Sequence, residues 1–260
     1  MREISEILSE VREKVARSAA KVGRNPDDVE IIAVTKTHGA EVVKEAWDAG
    51  LAIVGENKVQ EAMWKKAAAC SGPEWHLIGH LQTNKVRQAL ETFDFIHSVD
   101  SLKLLERIIR IAREIGVAPH ILFEVNVSGE KSKTGMSPDI LPSAVEMALE
   151  EGTVWLEGLM TMAPFSENPE DARPHFRRLR ELRDEMEKRF GISLPRLSMG
   201  MSGDYEVAVE EGATWLRLGT VLFGERPRLK AVRPADGEMD GIGGGLDSYS
   251  GEGPTFKVLD

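Results

Sequence analysis

The chain has 260 residues, enough to bury one sizeable core, and this length suits a single α/β barrel as well as two small domains. A formal charge of −10 and a pI near 5.3 argue against a broad surface for nucleic acid, although a local basic site could still hold one phosphate. The lone cysteine, Cys70, excludes an internal disulfide framework and a cysteine-based metal cluster.

The first segment of the chain is charged and lacks a continuous apolar stretch, so we expect no signal peptide, no membrane span and a cytoplasmic protein. Apolar residues in this segment recur at helical spacing between charged ones. They are Ile4, Ile7, Leu8, Val11 and Val15. This pattern predicts an amphipathic opening helix that ends around Gly23.

Eight short apolar runs follow, and each is succeeded by a plausible helix. The runs are Glu30–Thr35, Ala52–Gly55, His76–Ile78, Phe95–Ser98, His120–Val127, Leu156–Met160, Arg196–Met199 and Thr214–Leu218. Helix starts are indicated by capping signals at Asp100-Ser101, Ser137-Pro138 and Asn168–Asp171. Strands that alternate with helices predict a parallel sheet, and eight such units predict a (β/α)8 TIM-type barrel over residues 1–227; a doubly wound open sheet is the alternative.

The composition changes after Pro227. Residues 228–260 are rich in glycine and poor in large apolar side chains, so burial could not offset the entropy of ordering them. We therefore expect a flexible tail. Its last apolar residues, Phe256–Leu259, could form a short docking strand or peptide motif, or simply a frayed terminus.

In a barrel of this kind the functional groups lie at the carboxyl ends of the strands. Lys36 closes the first run, and two glycine- and hydroxyl-rich segments, Leu197–Asp204 and Arg217–Thr220, close the last two. Barrels commonly bind phosphate after strands 7 and 8, where backbone N–H groups present partial positive charge. The residues that fit this role are Ser198, Ser202, Gly203, Gly219 and Thr220. Ser202 is also the expected N-cap of a helix that starts near Asp204.

An amine and a phosphate cradle at one rim are what a protein needs to hold a phosphorylated aldehyde as a Schiff base, which suggests pyridoxal 5'-phosphate (PLP). Asn57 and His80 follow strands 2 and 3 and could also face this ligand. Asn57 could equally be a helix N-cap. The spacing of His76 and His80 suggests zinc only on a helix, so we expect no metal site. Met199 is expected to pack around the ring of the ligand.

Five ordered motifs of this chain resemble those of the pyridoxal-phosphate homeostasis protein family, also called the proline synthetase co-transcribed homologue family. They are Ala33–Lys36, Gly55–Glu61, His76–Lys85, Leu197–Ser202 and Arg217–Gly224. The resemblance covers roughly residues 1–226 and implies a single alanine-racemase-type barrel that carries PLP on a lysine and helps control its free level. It does not extend to the glycine-rich tail, whose deletion should leave cofactor binding intact.

The resemblance implies that Lys36 is the Schiff-base lysine. It also implies that Arg217 points at the pyridine nitrogen, as in the related racemase barrel. A guanidinium donates but cannot accept a proton, so the pyridine would stay largely unprotonated and be a poor electron sink. The alternative for Arg217 is a strand-end arginine paired with a surface carboxylate.

We therefore expect a monomeric PLP-binding protein without catalytic residues, which holds PLP reversibly and releases it, with PLP-requiring apoenzymes as possible recipients. The main alternative is a racemase or decarboxylase of the alanine racemase type. Such racemases need a second acid/base, usually a tyrosine delivered by an additional domain of a partner subunit, and the chain offers only Tyr205 and Tyr249. A Schiff-base aldolase without cofactor is a further alternative.

Overall fold

A computed structural model of the protein describes residues 3–130 and 133–224. Eight parallel strands close into a barrel in which each strand pairs with its neighbours in chain order and β8 pairs with β1. The strands are β1 (Glu30–Val34), β2 (Ile53–Glu56), β3 (Glu74–Leu77), β4 (Phe95–Val99), β5 (His120–Glu124), β6 (Trp155–Met160), β7 (Arg196–Ser198) and β8 (Trp215–Leu218). The predicted (β/α)8 barrel is confirmed, and the alternative open sheet is wrong.

Helices surround the barrel and connect the strands. They are α1 (Ile4–Lys21), α2 (Glu41–Asp48), α3 (Val59–Ala68), α4 (Val86–Thr92), α5 (Leu102–Ile115), α6 (Leu141–Glu151), α7 (Arg173–Phe190), α8 (Tyr205–Glu210) and α9 (Thr220–Phe223). The opening helix has its expected place, and the buried face of α1 includes Leu8, Val11 and Val15. Because β1 to β8 are all parallel, their carboxyl ends form one rim, which is where the site must be sought.

Two of the predicted helix starts are correct and one is displaced. Ser101 caps α5, since its Oγ accepts from Leu104 N at 3.4 Å, and Asn168 caps the 3-10 turn Pro169–Ala172 that precedes α7. The signal at Ser137-Pro138 marks only a turn, and α6 begins at Leu141.

The fifth strand is shorter than the apolar run that predicts it. β5 ends at Glu124, whereas the sequence predicts a strand as far as Val127. The reason is tertiary: Asn126 N donates to Met136 O at 2.9 Å, so a later segment of the same connection takes over the pairing. The loop after β5 is thereby drawn back towards its own strand.

Apolar side chains form two layers. The larger lies between the sheet and the helices and includes Trp75, Phe123, Phe176 and Leu218. The smaller fills the inside of the barrel and consists of Ile32, Ile53, Leu122, Met160 and Trp215. The interior is therefore a packed core, and a ligand can enter only at its rim.

The predicted tail, residues 228–260, and the predicted boundary at residue 227 lie outside the described residues. Within residues 3–130 and 133–224, every helix is too short or too polar to cross a membrane.

Candidate functional site

The predicted site residues follow strands that are consecutive around the barrel. Asn57 follows β2, Lys36 follows β1, Gly219 follows β8 and Ser202 follows β7. The barrel order places β7, β8, β1 and β2 side by side. Four predicted positions that lie far apart in the chain thus share one arc of the carboxyl-end rim, which we call the β7–β2 arc.

The turn after β1 carries Lys36. Thr35 extends the pairing of β1 with β2, since its N–H donates to Gly55 O at 3.2 Å. Its own carbonyl accepts from His38 N at 3.1 Å. This closes a four-residue turn in which Lys36 and Thr37 are the central residues. Thr37 has a φ of 69°, which is uncommon for a β-branched residue. Lys36 is thus placed on a tight, defined turn at the rim.

The start of α9 lies against the end of β1. A Cβ atom placed on Gly219 would approach Val34 O to 3.2 Å, so a larger residue there would push the two segments apart. Val34 is the last residue of β1 and stands two positions before Lys36. The absence of a side chain at Gly219 therefore brings the predicted phosphate segment next to the predicted lysine.

The predicted capping role of Ser202 is wrong. The N-cap of α8 is Asp204, whose Oδ1 accepts from Met201 N at 2.6 Å. Ser202 Oγ instead accepts from Val221 N, at 3.1 Å, in the first turn of α9. A tertiary contact has replaced the local one, and it joins the loop after β7 to the helix after β8. Gly203 is exposed with open space where a Cβ would be, and Thr220 is exposed too.

Arg217 lies inside the barrel just below this arc and is only 4% exposed. Its Nη1 donates to Ser198 Oγ at 2.8 Å and its Nη2 to Thr161 O at 2.8 Å. Both acceptors are uncharged, so the alternative of a surface arginine paired with a carboxylate is wrong. Burial lowers the pKa of Arg217 to about 10, against the opposing effects of Asp204 and Glu124. The site thus contains a buried cation with no carboxylate bonded to it among the described side chains.

Ser198 connects Arg217 to a row of buried hydrogen bonds that crosses the barrel. Ser198 Oγ lies 2.8 Å from His97 Nδ1, and His97 Nε2 lies 2.9 Å from His76 Nδ1. His76 Nε2 lies 2.7 Å from Glu74 Oε1, a carboxylate at the start of β3 with a side chain 43% exposed. We call Glu74, His76, His97, Ser198 and Arg217 the barrel row. It joins the two ends of the barrel.

The hydrogens of the barrel row can be assigned from its ends. The Glu74 carboxylate can only accept, so His76 Nε2 donates to it. With both imidazoles neutral, His97 then donates to His76 and Ser198 to His97, while Ser198 accepts from Arg217. Burial lowers the pKa of His76 and lowers that of His97 well below its ordinary value, which agrees with this assignment.

The indole of Trp215 holds the two imidazoles of the barrel row in place. Its ring stacks on His97 at 5.0 Å and meets His76 edge-on at 4.8 Å. Its Nε1 donates to Glu30 Oε2 at 2.8 Å, which fixes the orientation of the ring. Sequence reasoning did not find His97 or Trp215, because each lies within an apolar run that was read only as a strand.

A buried carboxyl group at the end of β5 was also missed. Glu124 is 2% exposed, its Oε1 accepts from Thr134 Oγ1 at 2.5 Å, and burial raises its pKa against the opposing charge of Arg217. The available signal was a glutamate that closes an apolar run, the same signal that identified Lys36 after β1. Glu124 extends the polar part of the rim beyond the β7–β2 arc.

The remaining predicted residues are placed differently. A Cβ on Gly79 would lie 2.4 Å from Asn57 O, so the loops after β2 and β3 touch at Asn57. The N-cap of α3 is Lys58, and the capping alternative for Asn57 is therefore wrong. His80 is exposed, with its Nδ1 3.0 Å from Asp100 Oδ2. Met199 is fully buried in the layer between the sheet and the helices, so its side chain is not brought to the rim.

His76 and His97 are used for packing and hydrogen bonding inside the barrel. Across the part of the chain that the structure describes, His, Cys, Asp and Glu side chains form no group of three that could hold a metal ion. The chemistry that the arc offers is therefore that of a lysine, a buried guanidinium and the backbone and hydroxyl donors of two loops.

Comparison with known proteins identifies the family. A model of the alanine racemase N-terminal domain matches residues 8–227. The pyridoxal phosphate homeostasis protein of Aquifex aeolicus (strain VF5) is 46% identical over 222 residues, covering 85% of this chain and 97% of that protein. That of Pseudomonas aeruginosa is 41% identical over 228 residues, covering 87% and 97%.

Among solved structures, PipY of Synechococcus elongatus PCC7942 with PLP bound has a TM-score of 0.76 and 39% sequence identity, covering 85% of this chain and 100% of that one. The family expected from the five sequence motifs is thus confirmed, since sequence and structure agree over nearly the whole length of these relatives. The chain belongs to the pyridoxal phosphate homeostasis protein family, within the family of alanine racemase N-terminal domains.

Proposed function

We propose that the protein binds PLP at the β7–β2 arc as a reversible Schiff base on Lys36, and that it holds and releases PLP as part of intracellular PLP homeostasis. The relatives named pyridoxal phosphate homeostasis protein and the PLP-bound structure of PipY support this proposal. When bound, PLP would supply an aldehyde that condenses with an amine; the protein would supply the lysine, the anchoring donors and the shape of the rim.

The observation that carries the proposal is the contact between the end of β1 and the start of α9. A Cβ on Gly219 would lie 3.2 Å from Val34 O, two residues before Lys36. The lysine turn and the phosphate segment are therefore neighbours on the rim. The loop after β7 also reaches this part of the rim, because Ser202 Oγ accepts from Val221 N in α9. In this proposal Ser202, Gly203, Gly219 and Thr220 anchor the phosphate.

The residues present fit the ring of PLP as well. Arg217 is a buried cation bonded to a hydroxyl and a carbonyl, so its charge is not neutralised by a bonded carboxylate. Its remaining N–H groups suit a neutral acceptor such as an unprotonated pyridine nitrogen. Ser198 orients Arg217 from below, while Asn57 and His80 lie on the far side of Lys36. Met199 would take part only through its backbone or as a support behind Ser198.

A holding role without turnover is supported by the position of the described tyrosine. Tyr205 is 4% exposed in α8, burial raises its pKa to about 12, and its hydroxyl has no hydrogen-bond partner among the described residues. A group in this state cannot exchange protons at the rim near neutral pH. Tyr249 lies outside the described residues. We accordingly propose that racemase or decarboxylase chemistry is not the main role.

The central test is to reduce the PLP-loaded protein with borohydride and to map the added mass. The expected result is one modified peptide that contains Lys36. Lys36→Ala should lose the label and keep only weaker, phosphate-driven binding. Lys58→Ala, which removes an exposed lysine after β2 on the same rim, is the matched control and should be labelled like wild type. Labelling of another lysine in the wild-type protein would refute the assignment.

Two further measurements separate holding from turnover and from the cofactor-free aldolase. The loaded protein should transfer PLP to a PLP-requiring apoenzyme, while alanine incubated with it in D2O should keep its α-hydrogen. Rapid exchange of that hydrogen would favour the racemase. A protein that stays colourless with added PLP would favour the aldolase. Sedimentation of the purified chain would test the expected monomer.

A further inference from the structure

The turn that carries Lys36 is under backbone strain. Thr37 is the one described residue other than glycine with a positive φ, 69°, and it is β-branched. A β-branched residue is costly in this region because its Cβ substituents crowd the backbone. Such a conformation persists only where surrounding contacts over-determine it. The contacts that do so here come from one buried charged cluster.

Lys65 is the centre of this cluster. It lies in α3, its side chain is completely buried, and its Nζ has three acceptors at 2.7 to 2.8 Å. These acceptors are Thr35 O, Glu56 Oε1 and Glu61 Oε1. A lysine is almost never fully buried unless paired, so the position of Lys65 is specific rather than incidental.

The same cluster holds the backbone on both sides of Lys36. On one side, Lys65 Nζ donates to the Thr35 carbonyl oxygen, and Glu56 Oε1 accepts from Thr35 Oγ1 at 2.5 Å. On the other side, Glu61 Oε1 accepts from Thr37 N at 2.5 Å. Lys36 stands between two residues that are both bonded to the Glu56–Lys65–Glu61 group.

Stability alone does not account for this group. Removing charges from water is costly, and apolar residues of similar volume often stabilise a fold as well or better. One oxygen of the group, Glu56 Oε2, is buried without a hydrogen-bond partner among the described residues, and burial raises the pKa of this carboxyl. Burying this group therefore costs free energy, and its hydrogen bonds converge on the two residues that flank Lys36.

We propose that Lys65, held by Glu56 and Glu61, is a positioning residue for Lys36: it fixes the strained turn so that the Lys36 amine meets the aldehyde of PLP in one orientation. This inference rests on the proposed function. It assigns a role to the glutamates of the segment Gly55–Glu61 that is separate from contact with the ligand. We therefore expect Lys65 to affect the formation of the Schiff base on Lys36 much more than the binding of the phosphate group.

The test compares two ligands and two lysines. PLP can condense with Lys36, whereas pyridoxamine 5'-phosphate carries an amine in place of the aldehyde and cannot. Lys65→Met should slow borohydride-trappable labelling of Lys36 by at least about tenfold, while the Kd for pyridoxamine 5'-phosphate changes less than about twofold. Lys66→Met is the matched control. That lysine is next in the same helix and donates to Thr92 O at 2.6 Å, so both measurements should stay at wild-type values.

A second variant distinguishes loss of positioning from loss of folding. Lys65→Met leaves Glu56 buried without its cation, and Lys65→Met with Glu56→Gln removes that uncompensated charge. The double variant should fold and still label slowly. Labelling at the wild-type rate in either variant would overturn the inference, and so would an equal loss of pyridoxamine 5'-phosphate binding, which indicates a general structural role. If wild type itself takes no label on Lys36, the proposed function fails rather than this inference.

Discussion

Ser198 Oγ lies 2.8 Å from Arg217 Nη1 and 2.8 Å from His97 Nδ1, so a single hydroxyl joins the guanidinium to the imidazole pair. Ser198 belongs to β7, Arg217 to β8 and His97 to β4. The hydroxyl accepts from one partner and donates to the other, which uses both of its functions in a fully buried place. The barrel row therefore depends on one small side chain.

Replacing this hydroxyl should be costly. Ser198→Ala leaves His97 Nδ1 and one guanidinium N–H without their partner inside the barrel, and each unmet buried group costs about 1–3 kcal/mol. We expect the free energy of unfolding to fall by about 2–6 kcal/mol and the affinity for PLP to fall with it. Urea denaturation and PLP titration would measure both.

Ser18→Ala is the matched control for that substitution. Ser18 is also fully buried, but its hydroxyl has no hydrogen-bond partner among the described residues. Alanine at this position of α1 removes an unsatisfied group and raises helix propensity, so stability should be unchanged or higher by up to about 1 kcal/mol. Equal destabilisation by both substitutions would contradict the role given to Ser198.

The imidazoles of the barrel row make stability depend on pH. Burial lowers the pKa of His76 and His97 in the folded protein, so below about pH 6.5 the unfolded chain binds protons that the folded one does not. Stability should therefore fall as pH decreases from about 6.5, by up to about 1.4 kcal/mol per pH unit for each histidine. The buried carboxyls Glu56 and Glu124, whose pKa is raised, act in the opposite direction above about pH 4.5.

His97→Gln tests this dependence. The variant should be less stable at pH 8, but its stability should fall less steeply between pH 6.5 and 5 than that of wild type. The slope is the quantity to compare, since it does not depend on the overall loss of stability. Denaturant midpoints collected across this pH range give the slope. An unchanged slope would mean that His97 binds its proton equally in the folded and unfolded protein, against the lowered pKa.

The close approach of β6 and β7 depends on Gly158. A Cβ there would lie 1.8 Å from Arg196 O, a backbone atom that cannot move without disturbing the ladder between the strands. Gly158→Ala should therefore cost more than about 4 kcal/mol or prevent folding. Gly203→Ala is the control, since it meets nothing within 4 Å and should change stability by less than about 0.5 kcal/mol. Thermal denaturation of the two variants decides the comparison.

The strain at Thr37 predicts a gain in stability. Glycine adopts a φ of 69° without the crowding that costs about 1–3 kcal/mol in other residues, and it loses about 0.5–1 kcal/mol through the greater freedom of the unfolded chain. Thr37→Gly should therefore stabilise the ligand-free protein by about 1 kcal/mol. Thr37→Val keeps the branched shape and should give no gain. A destabilised glycine variant would show that the turn is not strained.

The fold was accessible from the sequence because each strand is a short apolar run and each helix is amphipathic, and both are local properties. The barrel row was not, because its hydrogen bonds join residues 21 and 101 positions apart. Adjacent residues of a strand also point to opposite faces of the sheet, although a sequence motif includes both. Ser198 points into the barrel, whereas Met199 packs against the helices. Likewise, Ser202 has the sequence of a helix cap, but its Oγ accepts from Val221 N in α9, a residue that the local sequence does not indicate.

Glu74 and Arg217 stand at opposite ends of a line in which every hydrogen is committed to one neighbour. With neutral imidazoles, reversing either bond of His97 would also require reversing the bond between His76 and Glu74, and a carboxylate, which can only accept, forbids it. The barrel row thus has a fixed polarity, with the guanidinium of Arg217 at the end near the rim and the carboxylate of Glu74 at the other end. A ligand that binds next to Arg217 would therefore find the donors of the row already oriented.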